Sequence, residues 1–169
     1  MDGNPNIQRA YEAILKHDFE QAIEWFEKAI TEEPDNASYH YRLSISFARS
    51  NKLGKAVEHA ESACRLDSEA EHYRLHLNTL IAKQLLHKAD ELLLGTDAER
   101  LDEAIYVLRR AVQLDPLSVE ALVILAIAYE RANRLDEAAS AVIEAIKLEP
   151  GRKEAMELLQ QLSRRLNGG

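Results

Sequence analysis

Two prolines, Pro116 and Pro150, stand 34 residues apart, and the stretch they bracket constrains the whole chain. Val119 to Arg152 reads as two short amphipathic helices joined at Asn133-Arg134, with Pro150 closing the second. Proline removes a backbone donor and disfavours helix in the residue before it, so each one marks a boundary. Small residues recur where the two helices must touch: Ala126 in the first, Ala138 and Ala145 in the second. Leu125, Tyr129, Leu135, Val142 and Leu148 fill the space between. A helix pair of this size cannot bury its apolar face alone, whereas a stack of such pairs can.

The same pattern runs through the rest of the chain. The first small position of the second helix is Ala22, Ala56, Ala104 and Ala138, and the later one is Ala29, Ala63, Ala111 and Ala145. The anchor beside the turn is Phe19, Leu53, Leu101 and Leu135, and the stops are Pro34, Ser68, Pro116 and Pro150. Alanine lets two helix backbones approach closely while larger residues fill holes in the neighbour. The columns give units at about 3–36, 37–70, 71–118 and 119–152, with a final helix over 153–166. His17-Asp18 and Asn51-Lys52 are the expected turns, and Asp18 with Gln21 and Asn36 are the expected caps. Ser68 with Glu71 reads as a capping box that replaces the missing proline, with a helix from near Glu69.

The third unit is 14 residues longer than the others. Tyr73, Leu77 and Ile81 mark its core face, and Leu85, Leu92 and Leu93 carry apolar residues past the usual turn. Gly95 predicts a helix stop, and Thr96 with Glu99 a capping box. Fourteen residues are close to four helical turns. Shared two to each helix, they predict a hairpin lengthened by roughly 10 Å and not a loop. Asn78 replaces the small residue seen as Ala10, Ser44 and Ala126, and Arg9 stands where Leu43, Leu77 and Leu125 recur, which predicts a solvated first face. The last helix gathers Ala155, Leu159, Leu162 and Leu166 on one face. Glu154, Glu157, Gln161, Arg164 and Arg165 supply the polar outer face that a repeat array needs at its end.

These columns resemble the tetratricopeptide repeat family over nearly the whole chain. The resemblance implies an all-α fold, a right-handed α-solenoid of four helix hairpins with the third lengthened, closed by a C-terminal capping helix. It also implies a concave groove, lined by the first helices of successive units, that binds extended or helical peptides. Carried onto this chain, the groove residues are Tyr11, Tyr41, Arg42, Ile45, Arg49, His72, His76, Thr79, Lys83, Ile124, Ile127 and Arg131. Tyr and Ile beside Arg is a mixture found at recognition surfaces. Arg42, Arg49, Lys83 and Arg131 would form a cationic streak, so the expected ligand is a protein or peptide with acidic residues or a free C-terminal carboxylate. Family members that clamp acidic chaperone tails use two lysines, two asparagines and an arginine from three consecutive first helices. Here those columns hold Ile7, Tyr11, Arg42, His72 and His76, or in the next register Tyr41, Ile45, His76, Glu120 and Ile124, and neither set reproduces the clamp.

Composition narrows the class of function. A net charge of −8 argues against general nucleic-acid binding, which needs cations to neutralise phosphates. The start, MDGNPNIQRAYEAI, lacks a basic segment followed by an apolar core, so no secretory signal is expected. No apolar run approaches the ~18 residues of a membrane span. The single cysteine, Cys64, excludes an internal disulfide, fits a reducing cytosol and reads as a buried structural thiol. Trp25 reads as a packing residue or as a partly exposed aromatic on the convex side. His72 and His76 have a spacing that can hold a metal, but no Cys, Asp or Glu on that face completes a site. No Gly-rich phosphate loop, Ser-His-Asp order or paired carboxylates stand out. The expectation is a non-enzymatic cytoplasmic adaptor without cofactor or metal, monomer or homodimer. The alternative is a structural module that self-associates through the third hairpin (Leu85 to Leu94) or the last helix.

Overall fold

The computed structural model describes residues 4–95 and 97–167, and among them all regular structure is helical. The helices are α1 (Pro5–Leu15), α2 (Phe19–Glu32), α3 (Ala37–Arg49), α4 (Leu53–Leu66), α5 (Glu71–Leu93), α6 (Ala98–Leu114), α7 (Val119–Arg131), α8 (Leu135–Leu148) and α9 (Lys153–Asn167). Local chemistry sets most starts. Asn4 accepts from the Asn6 amide ahead of Pro5, and the Asp18 carboxylate accepts from Gln21 at 3.0 Å. Asn36 accepts from Tyr39 at 3.3 Å, Asp97 from Arg100 at 2.9 Å and Ser118 from Ala121 at 3.2 Å.

Three hairpins turn the same way. His17, Asn51 and Asn133 are left-handed, with φ of 58°, 57° and 57°. The amide after each reaches back to the helix it leaves: Asp18 to the Ala13 carbonyl at 2.9 Å, Lys52 to Phe47 at 2.9 Å, Arg134 to Tyr129 at 2.8 Å. This six-residue closure satisfies carbonyls that a helix end would otherwise orphan. Asn tolerates the left-handed region, so the two asparagines suit their turns.

The third hairpin differs from the sequence reading. Its lengthening is unequal: α5 has 23 residues against 13 for α3, whereas α6 has 17 against 14 for α4. The cap at Asp97 lies close to the anchor Leu101, so the second helix gains little and the rest falls to α5. Helix α5 stops at Leu93, two residues short of Gly95, and no described glycine has positive φ. Thr96 lies outside the described residues. Ser68 does not cap α5, because the turn between pairs has a fixed length and places Ala70 where Asn36 and Ser118 stand. The turn is held instead by the Asp67 carboxylate, which accepts from the Glu69 amide at 3.2 Å.

The chain forms two compact units, one ending at Leu80 and one beginning at Ile81. In the first, Ile7, Phe26, Tyr39, Leu43 and Phe47 fill a core between α1, α2, α3 and α4. In the second, Leu108, Leu125, Val142 and Leu162 do so. All eight column alanines are fully buried at 0% exposure, as close helix contact requires. In α5 the buried small residues are Ala82 and Ala89, while Asn78 is half-buried. In α9, Ala155 and Leu162 of the expected face are fully buried and Leu159 packs against the core, but Leu158 joins them while Leu166 is 43% exposed. Of the apolar residues over 85–94, only Leu94 is exposed. Cys64 is half-buried, and burial raises its thiol pKa. Trp25 is half-buried, with the Arg9 guanidinium 4.6 Å and the Lys28 ammonium 3.9 Å from its ring. Among the described residues no helix is long and apolar enough to cross a membrane.

Candidate functional site

In the first unit α3 presents a row of aromatic and basic side chains. The Tyr41 ring lies 5.3 Å from His72, 4.9 Å from Tyr73 and 5.1 Å from His76, meeting both histidines edge to face. The Ser44 hydroxyl is buried and donates to the Ala56 carbonyl at 2.7 Å. With that proton committed, His76 Nε2 at 2.9 Å must donate to Ser44, which fixes the imidazole. Next to Tyr41 in α3, the Arg42 guanidinium sits 5.0 Å over the Tyr11 ring and donates to Ser38 at 3.3 Å.

Beside this row, Ile14, Phe19, Ile45 and Ser46 line a cavity of about 320 Å³ with His17 and Arg49. Its lining contains no carboxylate. Arg49 is exposed and has no hydrogen-bond or ion-pair partner among the described residues. The site therefore offers apolar contact with a cation at its edge.

The second unit holds a different cavity, of about 280 Å³, between α7 and α9. Val123, Ile127 and Leu158 supply apolar surface, and Glu130, Glu154, Glu157 and Gln161 supply the polar edge. Glu130 is the most fixed of these: its Oε1 accepts from Gln161 Nε2 at 2.7 Å and Arg165 at 3.0 Å. Arg131 points elsewhere. Its guanidinium donates to the carbonyls of Leu93 at 2.7 Å and Gly95 at 2.8 Å, tying α7 to the end of α5.

Comparison with known proteins agrees with this architecture. The sequence model of the tetratricopeptide repeat matches residues 7–71 and 96–159, most of the chain. The chain belongs to the tetratricopeptide repeat family. The unmatched stretch between the two segments coincides with most of the long helix α5. Among solved structures, MamA from Desulfovibrio magneticus RS-1, residue 41 to its end, is similar at 16% identity, with 96% of this chain and 84% of that chain covered and a TM-score of 0.58. Another MamA crystal structure is similar at 19% identity, 96% and 81% coverage and a TM-score of 0.56. YrrB, a tetratricopeptide protein with an unusual peptide-binding site, is similar at 20% identity, 92% and 91% coverage and a TM-score of 0.53. At these identities the likeness concerns the fold. No curated protein matches the sequence.

For this tetratricopeptide chain, none of the twelve residues expected in the groove is buried. Tyr41, His72 and His76 meet as rings, Arg42 meets Tyr11, and Ile45 with Arg49 line the first cavity. Ile127 lines the second cavity, Ile124 packs against the core beside it, and Thr79 and Lys83 line neither. In the sequence His17 and Phe19 carry only the signals of a turn and an anchor. Glu154, Glu157 and Gln161 carry those of an outward polar face, yet they edge the cavity against α7. Among the described residues no three His, Cys, Asp or Glu side chains are grouped to hold a metal.

Proposed function

We propose that the chain is a non-catalytic scaffold that holds a segment of a protein partner against its first helices. Family membership supports the general role, since tetratricopeptide repeats are protein-interaction modules. The observation that carries the finer reading is the first-unit cavity, where Ile14, Phe19 and Ile45 adjoin the unpaired cation of Arg49. An apolar side chain followed by a carboxylate, from an acidic residue or a free C-terminus, satisfies both parts of that site. Charge-assisted bonds to a carboxylate are the strong ones, and Arg is suited to them. Tyr41 and the adjoining histidines extend the same face with ring surface for a neighbouring residue.

The test is calorimetric titration with short peptides that end in an apolar residue, each prepared with a free and an amidated C-terminus, or with an internal acidic residue in place of the terminus. We expect Arg49→Glu to weaken binding about tenfold, the effect of losing roughly 1.4 kcal/mol. Removal of the peptide carboxylate should do the same. Affinity unchanged by both would remove the reading.

A further inference from the structure

We propose that the cavity between α7 and α9 receives a basic side chain, lysine or arginine, from the partner segment. This deepens the scaffold reading and rests on it. The lining has two chemically distinct parts. Val123, Ile127 and Leu158 give apolar surface, and Glu130, Glu154 and Glu157 give carboxylates, with no cation among the lining residues. A long basic side chain has the same two parts: a hydrocarbon stem that covers apolar surface and a charged head that stays at the wet edge.

The carboxylates are not equivalent. Glu130 is held by Gln161 and Arg165, and its side chain is only 13% exposed. Glu154 accepts from Arg152, just ahead of α9, at 3.1 Å in a solvent-exposed contact. Glu157 is exposed and has no ion-pair partner among the described residues, so an incoming ammonium or guanidinium meets it first. A purely apolar ligand would strip water from these carboxylates and return nothing to them. An acidic ligand would meet the unpaired charge of Glu157 beside two carboxylates already held by arginines. The grouping does not suit a metal ion either, because the described residues contain no set of three ligands placed for one.

The experiment uses the full chain and short synthetic peptides in which one lysine is flanked by leucines, each paired with a norleucine counterpart that keeps the stem and loses the charge. Calorimetry gives affinity, and methyl resonances of Val123, Ile127 and Leu158 report where the peptide sits. We expect the lysine peptides to shift those methyl signals. The norleucine change and the Glu154→Gln/Glu157→Gln double variant should each weaken binding about tenfold, with less than additive loss when combined. Circular dichroism of the variant checks its fold, and the norleucine comparison needs no variant at all. Binding that ignores both changes, or shifts confined to other residues, would overturn the proposal. If peptides bind with loss on Arg49→Glu and no effect at the glutamates, the scaffold reading stands and the basic-side-chain proposal fails. If neither lysine peptides nor carboxylate peptides bind, the scaffold reading fails and takes this one with it.

Discussion

Ser44 and His59 show how much of the first unit rests on single polar side chains. The Ser44 hydroxyl is wholly buried and serves both the Ala56 carbonyl and His76. Ser44→Ala removes the buried hydroxyl shared by the Ala56 carbonyl and His76, and we expect a loss of about 1–3 kcal/mol in urea unfolding followed by circular dichroism. His40 Nε2 lies 3.0 Å from the Pro34 carbonyl, which can only accept, so that nitrogen carries a proton. In the neutral pair His59 Nδ1 then donates to His40 Nδ1 at 3.0 Å, while its ring stacks on Phe47. Burial, followed by the charge of His40, lowers the His59 pKa; Glu58 pulls the other way, and Lys55 adds a smaller push down. A lowered folded pKa means that the fold prefers neutral His59. Its contribution is complete above the unfolded value of about 6.5 and is lost as pH falls through the lower folded value. Urea midpoints measured from about pH 8 to pH 5 should therefore fall more steeply for the native chain than for His59→Gln. Neither device was legible in the sequence, because hydroxyl and imidazole pairing depends on which helix faces meet, and periodicity does not report that.

At the level of helices, the alanine columns made the architecture readable. A small residue at a fixed period has one economical use, close contact between backbones, and all eight are buried. Ala138→Leu should overpack that contact and lower stability by roughly 1–3 kcal/mol, measured by calorimetric unfolding. Helix ends were legible wherever a side chain capped them or an asparagine could turn left. The division of the extra residues between α5 and α6 was not, because it depends on which of several weak stops is used. Arg131 shows the consequence. It stood in the expected groove by column, yet in the fold it caps the carbonyls of Leu93 and Gly95. Arg131→Ala should speed amide exchange around residues 93–95 while changing global stability by less than about 1 kcal/mol, because the side chain is exposed.

On the scale of the whole molecule, a net charge of −8 frames how partners approach. If basic segments dock on the second unit, their association rate should fall as salt rises while dissociation changes less, which stopped-flow mixing at several ionic strengths can measure. The charge was plain from composition. The two cavities were only half visible, since Ile45, Arg49 and Ile127 lay in the expected columns but the walls from Phe19 and Glu157 did not. Those walls come from elements read for other duties, a turn anchor and a terminal cap. One further consequence follows from Trp25, the sole indole of the chain, lodged between Arg9 and Lys28. Indole emission from this protein originates in the first unit alone, because the second unit carries the tyrosines Tyr106 and Tyr129 but no tryptophan. Tyr106→Trp, at a site already 63% open to water, would give it a voice without disturbing packing.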